Sequence, residues 1–196
     1  MQPRLDLCDC CLRLLPREPE PWRSGPAPID FSLSPWGYAY PVDALVRQLK
    51  FLGDRAPARV LGTLLALERR ELDRALPDLL LPVPLHPARL RERGYNQAAE
   101  IAIFAARILD LRVDTTLLER RRATQEQSSL PAALRAANVA GAFSADAHVA
   151  GRHLALLDDV ITTGGTAQAA ASALLLAGAR SVELWTLARA GRRRLR

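Results

Sequence analysis

Leu154-Ala155-Leu156-Leu157-Asp158-Asp159-Val160-Ile161-Thr162-Thr163-Gly164-Gly165-Thr166 runs from an apolar stretch through two carboxylates into hydroxyls and glycines. Leu154 to Leu157 has the short, unbroken apolar character of a buried strand, and an Ala-rich helix is expected from Thr166 to Leu176, closed by Gly178. In an open parallel sheet, ligands bind outside the carboxyl ends of the strands. Gly164 and Gly165 let the backbone approach a ligand closely and tolerate positive φ. The first N–H groups of the helix, with the hydroxyls of Thr162, Thr163 and Thr166, suit a phosphate. Asp158 and Asp159 would repel that phosphate unless something engages them, and ribose hydroxyls or a Mg²⁺ shared with a pyrophosphate would do so. The stretch therefore asks for a ligand with a phosphate at one end and a diol and metal at the other. It is not a Walker loop, because Gly-Gly-Thr lacks the lysine, and the G-x-G-x-x-G spacing of a dinucleotide site is absent. An acidic strand end with a glycine-rich helix cap is the reading without a ligand.

Upstream, Leu79 to Val83 is a second short apolar run closed by prolines, a buried strand with its exit loop. Arg89, Arg91 and Arg93 leave that strand at the sheet edge that carries Asp158, where a pyrophosphate would need cations. Solvated arginines at a helix start are the alternative, although the dipole disfavours positive charge there. Gly94 to Leu109 reads as an amphipathic helix, which Asn96 and Gln97 would either cap or leave to position a ligand. Two further helices are expected, over Val42 to Phe51 and from about Ala56 to Leu76. Lys50 lies near a turn, where it either reaches an anion or stays on the surface. His86 is a candidate acid or base or a structural residue, and Trp36, Tyr38 and Tyr40 either stack on a base or pack on the core. Leu117 and Leu118 suggest a short strand, Arg120 to Ala137 a long mobile loop that could close as a lid, and Ser181 to Ala188 a last strand. Residues 16–41 carry seven prolines and read as a linker or extended arm, with the globular part starting near Trp36. Strands without period two, alternating with helices, indicate a parallel sheet covered on both faces.

The 196 residues suffice for one domain and a small appendage, and 49% hydrophobic with 24% charged residues is the balance of a globular core. The net charge of +6 comes almost wholly from arginine, Lys50 being the only lysine. Arg192, Arg193, Arg194 and Arg196 form a basic tail that either touches phosphate backbones or is a solvated terminus. No apolar stretch reaches bilayer length, so no membrane insertion is expected. The first residues hold acids where a signal peptide needs an apolar run, and the cytoplasm is the expected location. Cys8 and Cys11 form a C-x-x-C pair, half of a tetrahedral zinc site, with Cys10 between them and no cysteine elsewhere, so a closed four-ligand site within the chain is not expected.

The stretch ending at Thr166 resembles the ribose-phosphate motif of type I phosphoribosyltransferases. Pro82-Val83-Pro84-Leu85-His86, Arg89 and Arg93-Gly94-Tyr95-Asn96-Gln97 are similar to a signature of the ComF/GntX group. So are Leu49-Lys50-Phe51 with Gly53-Asp54, then Arg122, Thr124 and Gln127, and then Leu130, Arg135, Asn138 and Gly141-Ala142-Phe143. The matches fall in order and cover roughly Trp36 to Ala188.

The resemblance implies an α/β fold of the type I phosphoribosyltransferase kind, a mainly parallel twisted sheet of about five strands flanked by helices, with a small hood. It implies a phosphoribosyltransferase-like domain over residues 36–196, after a short Cys-containing arm, 1–35, that is the remnant of a zinc-finger-like region. The family usually opens with two C-x-x-C knuckles that together hold zinc, and only Cys8 and Cys11 match here, as the second. The implied ligand is 5-phosphoribosyl-1-pyrophosphate (PRPP) with Mg²⁺. Asp158 and Asp159 would hold the ribose hydroxyls and the metal, directly or through water, and Thr162, Thr163, Gly164, Gly165 and Thr166 the 5-phosphate. Arg89, Arg93 and Lys50 would hold the pyrophosphate, with Arg122, Thr124 and Gln127 on the lid. The implied chemistry is phosphoribosyl transfer to a nitrogen acceptor, a pentosyl-type glycosyltransferase reaction. The alternative is a non-catalytic module of DNA uptake and competence whose partners are single-stranded DNA and competence proteins.

Overall fold

A computed structural model of the chain describes residues 6–23, 25–122 and 141–190. Asp9–Arg13 form a short helix, α1, and three short strands follow: β1 (Trp22–Arg23), β2 (Phe31–Leu33) and β3 (Trp36–Gly37). Helices α2 (Val42–Phe51) and α3 (Ala56–Arg70) lead into strand β4 (Leu79–Pro82), after which come α4 (Pro87–Arg93) and α5 (Gln97–Leu109). The strands β5 (Leu118–Arg120) and β6 (Phe143–Ala145) precede the unit that carries the quoted motif: β7 (His153–Ile161), α6 (Gly165–Leu176) and β8 (Ser181–Arg189).

The central sheet has six strands in the order β1-β2-β8-β7-β4, with β3 also beside β8. Only the β1–β2 pair is antiparallel; β2, β3 and β7 pair parallel with β8, and β4 parallel with β7. Strands β5 and β6 form a separate antiparallel pair. Side chains of β7 alternate between two cores, as a strand buried on both faces requires. Ala155 and Leu157 pack with α2, α3 and α5, and Leu154 and Leu156 pack with α6 and the β5–β6 pair. The register aligns Pro82 of β4 with Leu157, and Asp158 with Thr186 of β8, so the carboxyl ends of three parallel strands share one edge.

Residues 16–41, expected to be a linker or arm, instead supply β1, β2 and β3, and the 35/36 boundary falls between two strands that both pair with β8. Phe31, Leu33 and Trp36 are buried, and the prolines sit between and beside very short strands, where a missing N–H costs no ladder bond. With β4, β7 and β8, the strands β1, β2 and β3 make six, where about five were expected. Helix α3 stops at Arg70 rather than Leu76. The buried Arg69 guanidinium donates to the Arg74 and Ala75 carbonyls, at 3.2 and 2.6 Å, and folds that segment back. The helix expected from Gly94 to Leu109 begins at Gln97, because Gly94, at φ 82°, terminates the separate helix α4.

Candidate functional site

Strand β7 does not stop at the acidic pair; it carries Asp158 and Asp159 and ends at Ile161. The ladder to β8 skips Asp159. Beyond it Val160 packs with the α2–α3–α5 core and Ile161 with the α6 core, so the alternation shifts by one residue at this point. Thr162 and Thr163 are exposed, and the chain turns at Gly164. Its φ of 84° is a conformation that side chains rarely adopt, and a Cβ there would also approach Pro26 Cγ to 3.4 Å. Gly165, which does not take positive φ, opens α6. Thr162, Gly164 and Thr166 line a cavity of about 60 Å³ together with Asp158 and Thr186, directly at the start of α6. Hydroxyls and helix-start N–H groups around a small cavity are the kind of donors an anion takes.

Asp158 and Thr166 also line a larger cavity of about 740 Å³, whose other polar walls are Lys50, His86, Arg89, Glu92, Arg93, Gln97, Arg120 and Asp159. Lys50, at the end of α2, places Nζ 2.8 Å from Asp159 Oδ2. The other oxygen of Asp159 accepts the Val160 N–H at 2.7 Å, and the residue is buried. Burial works against the Lys50 charge, but Asp159 first and Asp158 after it outweigh that and hold the ammonium above its ordinary value. Asp158 is half-buried and accepts the Asp159 N–H on Oδ1 at 2.9 Å. Burial raises its carboxyl to about 7, the Asp159 charge adding to the effect while Lys50 and Arg120 oppose it. Burial lowers the Arg120 guanidinium, with Asp158 opposing.

The arginine wall is set by caps. His86 Nδ1 accepts the Ala88 N–H at 3.3 Å and starts α4. Asn96 accepts the Ala98 N–H at 3.0 Å and starts α5, while its amide donates to the Val83 carbonyl at 3.0 Å. Arg93 donates to Gln97 Oε1, and Tyr95 Oη–H donates to the Leu49 carbonyl, tying the start of α5 to the helix that carries Lys50. Phe51 forms the cavity rim, 67% exposed, with the Arg93 guanidinium carbon 5.9 Å from its ring centre.

A phosphoribosyl transferase domain model matches residues 96–196. The DNA utilization protein YhgH of Escherichia coli O6:H1 is 38% identical over 186 residues, 93% of this chain and 77% of that protein. Competence protein F of Haemophilus influenzae is 35% identical over 160 residues, 78% of this chain and 70% of that protein. The chain belongs to the ComF family. Among solved structures, the glutamine phosphoribosylpyrophosphate amidotransferase from B. subtilis complexed with ADP and GMP aligns at 23% identity and a TM-score of 0.46. That alignment covers 67% of this chain and only 26% of the amidotransferase. The domain match and the mainly parallel, helix-flanked sheet give this ComF chain the type I phosphoribosyltransferase fold.

The ComF chain brings Lys50, Arg89, Arg93, Asp158, Asp159 and Thr166 to one cavity, with Thr162 and Gly164 at the adjoining one. Thr163 lines neither. Of the three arginines only Arg89 sits in the first turn of α4; Arg91 and Arg93 lie in its last turn, where the dipole favours cations, so for those two the helix-start argument falls away. Arg120, expected in a mobile loop, is the last residue of β5, two residues after the buried Leu118 and so on its face. That period-two signal was present in the sequence, whereas nothing local announced the Lys50–Asp159 pair. Asn96 is resolved as a cap and His86 likewise. Trp36 is fully buried, and Tyr40 is exposed and outside the cavity lining. Of the lid residues Arg122 is exposed, while Thr124 and Gln127 lie outside the described residues, as does the basic tail. Cys8, the N-cap of α1, and Cys11 within it are exposed and place their sulfurs 3.6 Å apart, two of the four positions a structural zinc needs. Among the described residues no group of three His, Cys, Asp or Glu side chains could hold a metal, and no helix is long and apolar enough to cross a membrane.

Proposed function

We propose that the two adjoining cavities bind PRPP with Mg²⁺, and that the site transfers the phosphoribosyl group to a nitrogen acceptor. The observation that carries this is the position of the Asp158–Asp159 pair between an anion-binding helix start on one side and a wall of Lys50, Arg89, Arg93 and Arg120 on the other. A ligand with anions at both ends and a diol between them matches that order of charges. The 5-phosphate would sit at Thr162, Gly164 and Thr166, and the ribose hydroxyls at Asp158. Arg89 and Arg93 would grip the pyrophosphate with paired N–H donors. Anchoring the far phosphate orients C1 for attack, so that binding energy remote from the reacting carbon is used at it. Glu92 lines the same cavity, but no three acidic, His or Cys side chains among the described residues could together hold a metal, and an adjacent pair of carboxylates suits Mg²⁺, which keeps several waters and takes ligand oxygens, better than an all-protein cage. When bound, the metal would offset negative charge on the departing pyrophosphate. The ³¹P spectrum of PRPP tests the polarity of the site. Wild type with Mg²⁺ is expected to shift all three phosphorus signals, Gly164→Ala to spare the 5-phosphate signal, and Arg89→Ala/Arg93→Ala to spare the pyrophosphate pair. Signals that stay unmoved beside folded wild type would overturn the proposal.

A second reading, a DNA-handling module, is supported by the relatives named for DNA utilization and competence. The exposed Phe51 with Arg93 against it is the combination on which single-stranded bases stack. Salt-sensitive oligonucleotide binding that Phe51→Ala abolishes, without any response to PRPP, would favour this reading.

A further inference from the structure

The chain has 27 lysines and arginines, and Lys50 alone is a lysine. Every other lysine-or-arginine position takes a guanidinium; this one keeps a compact ammonium, and that ammonium touches Asp159. Lys50 Nζ lies 2.8 Å from Asp159 Oδ2, with the two side chains 23% and 5% exposed. Asp159 Oδ1 accepts the Val160 N–H at 2.7 Å. Asp159 Oδ2 is buried and lies against the ammonium with no hydrogen bond of its own among the described residues, so a hydroxyl or metal ion that is to reach that oxygen has to displace the ammonium.

We propose that Lys50 is a resident counter-ion that occupies Asp159 until a divalent cation arrives together with an anionic ligand. Mg²⁺ gives up its water reluctantly, and alone it would have to leave the buried ammonium without a carboxylate. A pyrophosphate group in the cavity changes that balance, since it offers the ammonium new oxygens beside Arg89 and Arg93. Cation and anion are therefore coupled: each raises the affinity for the other by the same factor. A compact ammonium on a flexible stem can swing between two oxygen partners; the broad planar fork of arginine, built for two fixed bonds, cannot do so in the same space. The pyrophosphate half of this mechanism rests on the ligand reading above, and the metal half does not.

Thermal unfolding with Mg²⁺ and no phosphate tests the metal half. Wild type is expected to be unmoved by millimolar Mg²⁺, and Lys50→Met to gain at least about 3 °C. Adding Asp159→Asn to Lys50→Met should abolish that gain. Equal Mg²⁺ stabilisation of wild type and Lys50→Met would overturn the proposal, as would none in either. Should Lys50→Met not fold, reductive ¹³C-methylation of wild type decides, because it labels only Lys50 and the α-amine and keeps the positive charge. The Lys50 methyl signal should shift with Mg²⁺ and inorganic pyrophosphate together and stay still with Mg²⁺ alone. A signal that stays still while calorimetry on the same sample registers saturating Mg²⁺–pyrophosphate overturns the proposal. If calorimetry registers no pyrophosphate or PRPP binding at all, the ligand reading fails by itself, and the Lys50→Met response to Mg²⁺ then decides whether the lysine excludes the cation.

Discussion

Asp158 is the residue at which burial and charge conflict most openly. Burial first, and the Asp159 charge second, raise its carboxyl to about 7, so between the ordinary carboxylate value and about pH 7 the folded protein holds a proton that the unfolded chain has already released. The stabilisation this proton gives is fully present below the ordinary carboxylate value and is lost as pH rises through about 7. Asp158→Asn cannot titrate, so its stability relative to wild type should rise steadily from about pH 5 to about pH 8 in denaturant unfolding. Parallel pH profiles for the two proteins would remove Asp158 as the titrating group. The residue types of this site were legible from the quoted stretch alone, since an acidic pair followed by threonines and glycines already implied a polar ligand. The partner of Asp159 was not, because Lys50 lies more than a hundred positions away and only the packing of α2 against the strand edge brings it there.

At the scale of elements, the caps decide where the arginines point. Gly94 at φ 82° ends α4, and Asn96 restarts the chain as α5 while its amide holds the Val83 carbonyl at the end of β4. One periodic pattern over 94–109 concealed that break, since hydrophobic spacing records faces rather than caps. The strand of the motif was misjudged in the same way: two carboxylates look like the end of a strand, yet β-pairing to β8 continues to Ile161 because the neighbouring strand is there to receive it. Asn96→Ala removes a cap and a tether together and should cost about 1–2 kcal/mol in denaturant unfolding. Asn96→Asp, which keeps the cap acceptor and loses the donated bond, should fall between the two. An unchanged Asn96→Ala midpoint would mean that α4 and α5 are positioned by packing alone.

Across the whole molecule, the two edges of the sheet do different work. Near the amino end of β8, Arg69 and Glu183 form a buried pair 3.2 Å apart, wedged against Phe31 and Trp185 and joined to the turn after α3. The carboxyl edge gathers the acidic pair, four cations and the glycine turn around open cavities. The parallel α/β architecture was legible from strand–helix alternation, but the part played by residues 16–41 was not, because short strands between prolines carry no periodic signal and are fixed only by pairing with β8. The central claim is that the carboxyl edge is built for PRPP. Calorimetric titration of PRPP with Mg²⁺ into wild type and into Asp158→Asn/Asp159→Asn tests it most directly. Saturable binding by wild type, weakened at least about tenfold in the double variant, is the predicted result. A folded wild type that takes up no PRPP, or a double variant that binds it equally well, would contradict the account.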